Sequence, residues 1–428
     1  MGSTNVDYLI VGSGLTGSTI ARRLADAGRE VLILERRAHI GGNVHDTLHS
    51  SGVRVHTYGP HYFRCLSPRI WEFVNRFSMF RPYEAQVKIL VDGIYEDWPV
   101  HRQTVQRYLD WVPPQSKRRP RNFEEACLRK LPPQVYHAMI EGYTRRQWGV
   151  EPHRLGAELA QRIRINGDHQ HSLTPQHRYQ ALPTLGYAGW MEAMTGGIPC
   201  LRGVDYLQQR DQFRARKLLV FTGSMDEFFG FDEGQLAYRG QRRRLVFYPD
   251  RNSFQPCVQV NHPEADEFAP LRTIEWKYLL PPKQQQFVEG TVVTQEFPFS
   301  PSNPDAFEYP VPDLLNKALS HRYRARAALT PNLLLCGRLG EYRYYDMDQA
   351  IGRALHLADG ILGVSQTPAN RMHSTALATT HLQGVVDRTA SCCISAARRS
   401  ACTSGSSASS SSITPAISRS GSRPNRCA

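Results

Sequence analysis

The N-terminal part of the chain shows an ordered succession of apolar, glycine-rich and amphipathic segments. Val6–Val11 is apolar enough for a buried strand, Gly12–Gly17 predicts a tight turn, and Ser18–Ala27 has the periodicity of a helix. A second apolar run, Val31–Leu34, predicts another strand, which ends at Glu35. Strand, turn, helix and strand together predict one βαβ unit of about 30 residues.

The pattern changes twice in the middle of the chain. From about Trp71 to Leu159 it is helical and polar, and proline pairs at 113–114 and 132–133 are expected to end helices, so we predict a helical insert. Short β-rich runs return between Pro183 and Pro310 and suggest an antiparallel sheet. These runs are Lys217–Phe221, Arg244–Phe247, Cys257–Val260 and Gly290–Thr294.

The last patterned segments resemble the first. Asn332–Cys336 predicts a final buried strand, and Met347–Leu362 has apolar residues at the spacing of an amphipathic helix. After Gly363 the chain is rich in Ser, Thr, Ala and Arg and has little periodic apolar content. We predict that about the last 60 residues are disordered, an interaction tail or a reading-frame artefact being the alternatives.

The formal net charge of +13 raises the question of a nucleic-acid partner. Seven arginines and one aspartate lie between Ser365 and Ala428, so the rest of the chain carries about +7. It contains no helix-turn-helix or zinc-finger spacing, and moderate basicity also suits a site for a diphosphate. The charge therefore predicts a small acidic substrate and no nucleic acid.

The nine cysteines form no CxxC pair, which predicts reduced thiols without a disulfide framework and without a metal site. No run approaches the ~20 apolar residues of a membrane span. The apolar run Val6–Val11 is only as long as a strand, too short for the apolar region of a signal peptide. These patterns predict a cytoplasmic protein.

The glycine-rich turn carries the first candidate chemistry. Gly12-Ser13-Gly14-Leu15-Thr16-Gly17 lets a pyrophosphate approach the backbone at the N-terminus of a helix, and Glu35 can accept a hydrogen bond from a ribose hydroxyl. A second glycine pair, Gly41 and Gly42, follows within a few residues and is typical of FAD domains rather than NAD domains. We therefore predict FAD, although either motif by itself could be an ordinary glycine turn.

Later motifs, in collinear order, resemble those of UDP-galactopyranose mutases. The resemblance covers about Val6 to Gly363, and its last motif is the most family-specific. The motifs are His56–Phe63 (His-x-Tyr-Gly-x-His-x-Phe), Gly142–Gly149, Thr222–Phe229, Thr291–Pro298 and Gly337–Gln349. The resemblance implies an α/β fold: a dinucleotide-binding (Rossmann-like) FAD domain with a helical insert and an antiparallel β-sheet domain.

A division into domains is also implied. The FAD-binding domain would comprise 1–75, 190–232 and 325–364, and the helical domain with a mobile loop would comprise 100–165. The sheet domain would comprise 76–99, 166–189 and 233–324, followed by the disordered tail at 365–428.

The resemblance implies an isomerase that interconverts UDP-galactopyranose and UDP-galactofuranose in cell-wall polysaccharide biosynthesis. Its FAD would work in the reduced form, with the flavin N5 forming a covalent adduct with the sugar while UDP leaves. The implied partners are a UDP-sugar and an electron donor, and the resemblance leaves open whether a second copy of the chain is a partner. The alternative is an FAD-dependent oxidoreductase of the amine oxidase or phytoene desaturase type, which would need an apolar tunnel instead of two facing arginines.

Site residues are carried over by position. Catalytic roles fall on Arg162, Arg272, His61, Tyr344 and Asp346, and the two arginines would neutralise and hold the diphosphate. Substrate contacts fall on Tyr143, Trp148, Arg162, Arg272, Tyr309, Tyr344 and Asp346. Cofactor contacts fall on Gly12, Ser13, Gly14, Leu15, Thr16, Gly17, Glu35, Arg36, Gly41, Gly42, Asn43, His56, Tyr58, Gly59, Thr222, Gly223, Gly337, Arg338, Tyr345, Asp346, Met347 and Gln349.

The chain departs from the family pattern in the segment 166–173. Members often carry an Asp-x-x-Tyr-Phe stretch there, whose tyrosine stacks on uracil, whereas this chain reads Asn-Gly-Asp-His-Gln-His-Ser-Leu. The segment contains no tyrosine, so the pattern leaves open whether uridine is selected.

Overall fold

The computed structural model describes residues 3–364, apart from 108, 109, 115, 117, 168, 169, 265 and 267. The tail predicted to be disordered, 365–428, lies outside the described residues. In chain order the strands are β1 (Thr4–Val11), β2 (Val31–Glu35), β3 (Asp46–Leu48), β4 (Arg54–His56), β5 (Phe63–Cys65), β6 (Phe80–Pro82), β7 (Val87–Val91), β8 (Ile94–Trp98), β9 (Val100–His101), β10 (Ile165–Asn166), β11 (Tyr179–Pro183), β12 (Cys200–Arg202), β13 (Phe213–Phe221), β14 (Tyr238–Tyr248), β15 (Gln259–Asn261), β16 (Arg272–Glu275), β17 (Thr291–Phe299), β18 (Tyr309–Pro310) and β19 (Leu333–Leu335).

The helices connect these strands and also form a region of their own. In chain order they are α1 (Leu15–Asp26), α2 (Pro68–Asn75), α3 (Arg102–Gln106), α4 (Phe123–Leu128), α5 (Pro133–Tyr136), α6 (Gly142–Trp148), α7 (Gly186–Thr195), α8 (Met225–Phe228), α9 (Pro282–Gln285), α10 (Leu314–Leu329), α11 (Gly337–Gly340) and α12 (Met347–Leu362). None of those described is both long and apolar enough to cross a bilayer.

A five-stranded parallel sheet, ordered β12-β2-β1-β13-β19, contains the N-terminal βαβ unit. Its register places Val11 beside Leu34 and Phe221, and Phe221 beside Leu335, so four strands end at one edge. The chain leaves β1 for β2 on one side and later returns to β13 on the other. This topological switch point is where open α/β sheets bind ligands.

Helices α1 and α12 pack together against this sheet. Ile20 of α1 and Ala354 of α12 are buried in one cluster with Ile33 and Val220 of the strands. Burial of each large aliphatic side chain is worth about 1.5–3 kcal/mol, so the packing holds the N-termini of both helices at the sheet edge. The structure confirms the predicted bounds of α12, Met347–Leu362.

The second large sheet has seven strands in the order β18-β14-β17-β16-β15-β7-β8. Its pairs are antiparallel except β15 with β7, so the expected antiparallel sheet is in fact mixed. Strand β17 lies between β14 and β16, and its Glu296 is in register with Arg243 on one side and Arg272 on the other. Cross-strand neighbours are close enough to interact, which places one acid between two bases.

Two expectations from the sequence pattern were wrong. Lys217–Phe221 belongs to β13 of the parallel sheet and not to the antiparallel runs. The stretch from Trp71 to Leu159 is interrupted by β6, β7, β8 and β9. Val87 and Ile89 are buried on one face of β7 with Lys88 between them, and this period of two is that of a strand and not of a helix. The division into domains stays a prediction.

The helical region runs from α3 to a short 3₁₀ turn at Ala157–Arg162. Helix α6 ends at Gly149, whose φ of +66° is a left-handed conformation that glycine adopts without strain. Strand β10 follows Arg162 after two residues and pairs in parallel with β9. A two-stranded sheet of β9 and β10 therefore anchors the chain just after Arg162.

Candidate active site

A cleft opens at the edge of the parallel sheet where the strands end together. The positions that follow these strand ends, with the N-termini of α1 and α12, form its walls. The predicted cofactor residues that line it are Gly12, Gly14, Leu15, Thr16, Gly17, Glu35, Arg36, Gly41, Gly42, Asn43, Thr222, Gly223, Gly337, Arg338, Tyr345, Asp346 and Met347. The strand register explains why positions so distant along the chain meet here.

The three glycines of the first turn are needed for different structural reasons, or are not needed by the fold at all. Gly12 has a φ of +96°, and a Cβ there would lie 2.1 Å from Thr222 Oγ1. A Cβ on Gly17 would lie 2.0 Å from the carbonyl oxygen of Gly12. A Cβ on Gly14 would meet nothing within 4 Å, although Gly14 lines the cleft as the N-cap of α1. The space beside Gly14, at a helix N-terminus with no acid in its first turn, fits a pyrophosphate.

Glu35 is held rigidly at the end of β2. Its Oε2 accepts hydrogen bonds from the backbone N (2.8 Å) and the Oγ (2.6 Å) of Ser13, and its Oε1 accepts one from the backbone N of Arg37 (2.9 Å). The side chain lines the cleft. Its oxygens keep lone pairs for a further donor, such as a ribose hydroxyl.

Five predicted cofactor residues are not among those that line the cleft: Ser13, His56, Tyr58, Gly59 and Gln349. Ser13 positions Glu35, as described above. Tyr58 lines an adjoining depression that shares Arg36 and Arg37 with the cleft, and its hydroxyl is 2.8 Å from His39 Nε2. Gln349 accepts from the backbone N of Asp346 at 3.0 Å and so completes the capping box of α12.

His61 lines the cleft as a neutral imidazole. Its Nδ1 is 2.7 Å from the carbonyl oxygen of Gly59, which can only accept, so Nδ1 carries the proton and Nε2 a lone pair. Burial lowers the pKa of His61 to about 4. The backbone N of His61 donates to Nδ1 of His56 at 3.0 Å, and burial lowers the pKa of His56 as well. His56 thus fixes the orientation of His61.

An arginine–tyrosine cluster, formed by Arg162, Arg338, Tyr309 and Tyr344, adjoins the cleft. The rings of Tyr309 and Tyr344 stack with centroids 5.7 Å apart at 12°. The guanidinium of Arg162 lies 4.4 Å from the ring centre of Tyr344. The guanidinium of Arg338 lies 5.3 Å from the ring centre of Tyr309 and 5.1 Å from that of Tyr344. Because Arg338 also lines the cleft, the cluster and the cleft share a wall.

Helix α6 brings Tyr143 and Trp148 to the same cluster. The ring of Trp148 meets that of Tyr344 edge-on, with centroids 6.4 Å apart. Burial raises the pKa of Tyr143, and the charges of Arg272 and Arg162 both oppose that rise. Arg272 is hydrogen-bonded to the hydroxyl of Tyr309, whose ring stacks on that of Tyr344, and Arg162 lies over the Tyr344 ring. The structure brings together the two arginines that the sequence analysis expected to face a common site.

Asp346 joins the cluster to the N-terminus of α12. It lines the cleft and forms ion pairs with Arg162 at 3.1 Å and with Arg64 at 3.0 Å. Burial alone would raise the pKa of Asp346, but the charges of Arg162 and Arg64 lower it to about 2. The sequence analysis missed Arg64, and no local signal could have indicated a contact 282 positions away.

Arg272 belongs to a strip of alternating charges on the mixed sheet: Arg272, Glu296, Arg243 and Glu308. Arg272 Nη2 is 2.5 Å from Glu296 Oε2, and Arg243 Nε is 3.1 Å from Glu296 Oε1. Arg243 also makes a two-pronged pair with Glu308, at 2.8 Å for each bond. Glu296 is fully buried. An acid within the apolar run of β17 was the sequence signal that could have found it, since a buried carboxylate needs partners.

The hydrogen bonds of Arg272 are incomplete. Its Nε and Nη2 atoms are buried and make no aligned hydrogen bond, although Nη2 is close to Glu296. Burial lowers the pKa of Arg272, but the charge of Glu296 raises it well above its usual value, so the guanidinium stays charged. Buried donors normally have acceptors. An anion bound beside Arg272 would supply them.

Comparison with known proteins shows which family and fold the chain resembles. A sequence profile described as UDP-galactopyranose mutase matches residues 138–344, which include both arginines and the stacked tyrosines. A profile described as an NAD(P)-binding Rossmann-like domain matches residues 10–77. Fold similarity extends to a crystal structure of reduced UDP-galactopyranose mutase, with a TM-score of 0.67 and 16% identity over 84% of this chain and 94% of that one. The Rossmann-like α/β fold expected from the sequence is confirmed.

Two relatives align over nearly their whole length. A probable UDP-galactopyranose mutase of Klebsiella pneumoniae is 32% identical over 84% of this chain and 95% of its own. The dTDP-fucopyranose mutase of Escherichia coli is 31% identical over 82% of this chain and 97% of its own. With a glycine-lined cleft beside paired arginines, and with relatives of this coverage, the chain belongs to the UDP-galactopyranose mutase family of isomerases.

Proposed function

We propose that this chain interconverts UDP-galactopyranose and UDP-galactofuranose as a flavin-dependent mutase, with FAD in its reduced form. One observation carries the proposal. Arg162 and Arg272 come from different segments, yet both contact the stacked pair Tyr309 and Tyr344 beside a glycine-lined cleft. Two guanidinium groups at one place suit a diphosphate, and an apolar tunnel, which the oxidoreductase alternative needs, would not contain them.

The cleft residues fit FAD. The space beside Gly14 would take the pyrophosphate, and Glu35 would bond the ribose. The N-terminus of α12, at Met347, carries partial positive charge and would face the negative charge of a reduced ring. Reduced FAD would supply an electron-rich N5 that takes up the sugar covalently as the nucleoside diphosphate leaves.

The side chains of the arginine–tyrosine cluster would hold that diphosphate. The buried Nε of Arg272, which has no acceptor, would bond one phosphate, and Arg162 would exchange part of its contact with Asp346 for another. Burial raises the pKa of Tyr309 to about 12, against the opposing charge of Arg272, so its hydroxyl keeps the proton that it would donate. Donors set in advance around a leaving group stabilise the charge that develops on it.

Neutral His61 and ionised Asp346 would serve the sugar side. Departure of the diphosphate develops positive charge on the sugar, and a protonated imidazole nearby would oppose that charge. The lowered pKa of His61 keeps the ring neutral at physiological pH, while Nε2 can accept a hydrogen bond. Asp346 keeps its negative charge because its pKa is about 2.

The reaction is tested with the full chain, FAD and UDP-galactopyranose under dithionite, with products separated by chromatography. We expect UDP-galactofuranose to form with reduced enzyme and not with oxidised enzyme. The Arg242→Ala variant is a matched control, since Arg242 is an exposed arginine of β14 that stacks on Phe299. Absence of isomerisation under reduction, with steady turnover of an electron acceptor, would support the oxidoreductase alternative instead.

Nucleotide choice is tested separately, because the relative from Escherichia coli is named for a dTDP-sugar. UDP-galactopyranose and dTDP-galactopyranose, which differ only in the nucleotide, are compared by kcat/KM with the same reduced enzyme. The proposal expects the uridine nucleotide to be preferred even though the segment 166–173 contains no tyrosine. Preference for the dTDP-sugar would reject uridine selection and leave the isomerase chemistry intact. The proposal also includes a cytoplasmic location and a separate electron donor for FAD.

A further inference from the structure

Asp97, His101 and His171 form a second cluster of polar side chains, which we call the histidine–aspartate cluster. One ligand-type atom from each residue lies within 4.8 Å of those of the other two. Asp97 Oδ2 is 3.3 Å from His171 Nδ1 and 3.7 Å from His101 Nδ1. None of the three residues lines the cleft. The active site described above therefore does not explain their convergence.

One polar atom of Asp97 and one of His101 already have hydrogen-bond partners outside the cluster. The other polar atom of each side chain points into the cluster. Nε2 of His101 is 2.9 Å from the carbonyl oxygen of Gln170, which only accepts, so Nε2 carries the proton and Nδ1 a lone pair. Asp97 Oδ1 accepts from Lys88 Nζ at 2.7 Å, so Oδ2 is the oxygen left for another contact. Two ring nitrogens and one carboxylate oxygen therefore converge.

These separations suit a tetrahedral metal ion. With metal–ligand bonds of about 2.0–2.2 Å, neighbouring ligand atoms of a tetrahedral zinc site lie about 3.3–3.5 Å apart. The two measured separations from Asp97 Oδ2 are close to this value. Histidines that bind metals usually donate their other N–H to a carbonyl or carboxylate, as His101 does to Gln170.

We propose that the histidine–aspartate cluster binds a divalent transition-metal ion of the zinc class, which ties the segment bearing His171 to β8 and β9. Two imidazoles with one carboxylate favour zinc and its neighbours over magnesium. Strand β10 follows Arg162 and pairs with β9. The segment from β10 to His171 would then be held at its start by this pairing and at its end by the ion. The proposal departs from the sequence expectation of no metal site, which was drawn from the cysteines; the cluster spans 75 positions and forms only in the fold.

The competing explanation needs no metal. If either imidazole is protonated, Asp97 can form a simple ion pair with it, at the distances observed here. An ion pair predicts no zinc stoichiometry that depends on these residues. The two explanations therefore differ in a measurement that does not involve turnover.

The test is equilibrium dialysis of the untagged full chain with FAD against zinc chloride, with bound zinc measured by elemental analysis. His171→Ala and His101→Ala should each lose one equivalent of bound zinc relative to the unchanged chain. His153→Ala, an exposed histidine outside the cluster, should lose none at this affinity. Flavin content and far-ultraviolet circular dichroism check that each variant is folded, and His171, which is exposed, is the safer of the two substitutions.

Two further measurements sharpen the test. Lys88→Gln removes a positive charge from the carboxylate of Asp97, so it should tighten zinc binding several-fold. Zinc should slow hydrogen exchange in a peptide covering 166–173, and magnesium chloride at equal concentration should not. Equal zinc content in the unchanged chain and the His171 variant, or equal protection by magnesium, would overturn the proposal.

Discussion

The glycine-lined cleft and the arginine-bearing wall beside it are made in different ways. The cleft depends on backbone: Gly12, Gly14 and Gly17 shape it, and Glu35 is fixed by bonds to Ser13 and a backbone N–H. The arginine-bearing wall, which we also call the charged wall, depends on side chains of both charges. These come from β5, β14, β16, β17 and the end of a 3₁₀ turn. The backbone wall tolerates few side chains, whereas the charged wall depends on each of its partners.

The contrast extends to electrostatics. Around Gly14 the cleft presents the backbone N–H groups of a helix N-terminus, while the strip from Arg272 to Glu308 alternates four charged side chains within the mixed sheet. A buried ion pair gains little net stability, but removing one partner leaves an uncompensated charge. We therefore expect changes on the charged wall to have the larger effects.

The largest expected effect is on turnover by Arg272→Ala. Loss of its guanidinium removes a positive charge and the buried Nε donor from the proposed diphosphate site, so kcat/KM for UDP-galactopyranose should fall about 10²- to 10³-fold. Arg272→Lys should recover only part of the loss, because an ammonium group lacks the planar fork. Flavin absorbance should be unchanged and Arg242→Ala should stay within about two-fold. If Arg272→Ala lost its flavin, the two walls would not be separable as described.

The next effect is on stability. Glu296→Gln keeps the shape of the side chain but removes the negative charge between Arg243 and Arg272, so the free energy of unfolding should fall by about 3 kcal/mol. Urea denaturation followed by tryptophan fluorescence measures it. The control is Glu192→Gln, whose exposed pair with Arg202 should contribute less than about 1 kcal/mol. Equal destabilisation by the two variants would contradict the importance of the buried strip.

On the cleft side, substitution of two glycines distinguishes an effect on folding from an effect on cofactor binding. Gly12→Ala places a methyl group against Thr222 at a positive φ, so it should lower the free energy of unfolding by about 2 kcal/mol. Gly14→Ala has no such contact, so we expect an unchanged melting temperature of the flavin-free protein and roughly ten-fold weaker FAD binding, worth about 1.4 kcal/mol. Thermal melts and flavin titration distinguish them, and Gly14→Ala with wild-type affinity would place the pyrophosphate elsewhere.

The same contrast explains what the sequence could predict. The βαβ unit, its glycine turn and helix Met347–Leu362 depend on short spacings, and all were read from local pattern. The partners Arg64 and Glu296 were missed because their contacts form only when distant strands come into register. The pattern reading missed strand β7 because its apolar run is only five residues long and lies within a stretch read as helical, although the domain division carried over from the family placed 76–99 in the sheet domain.

For the charged wall, the positions carried over from the family lie together in the structure and their roles stay predictions, whereas the side chains that hold them were not expected. Arg162, Arg272, Tyr309 and Tyr344 were expected from the resemblance, and the structure gathers them. Their supports, Arg243 and Glu308, fall outside the substrate and cofactor positions carried over. A resemblance by motif transfers the groups that would touch a ligand more readily than the groups that hold them.

The smallest expected effect is on the pH dependence of stability, and it distinguishes two acids at the N-terminus of α12: Asp346 at the N-cap and Asp348 in the first turn. Arg162 and Arg64 lower the pKa of Asp346, whereas burial, together with the charge of Asp346, raises the pKa of Asp348 to about 6. A carboxyl with a raised pKa binds its proton more tightly in the folded state, so its contribution to stability decreases as pH rises from about 4 to 6. Asp348→Asn removes that penalty.

The variant should therefore match the unchanged chain at pH 4 and exceed its free energy of unfolding by about 1 kcal/mol at pH 7.5, a value reduced for partial exposure of the side chain. Urea titrations at both pH values measure the difference. A variant that is less stable at pH 7.5 would mean that the ionised Asp348 gains more from the N-terminus of α12 than it loses by burial. In that case the first turn of α12 would stabilise two negative charges, and Asp346 would not depend on its arginines alone.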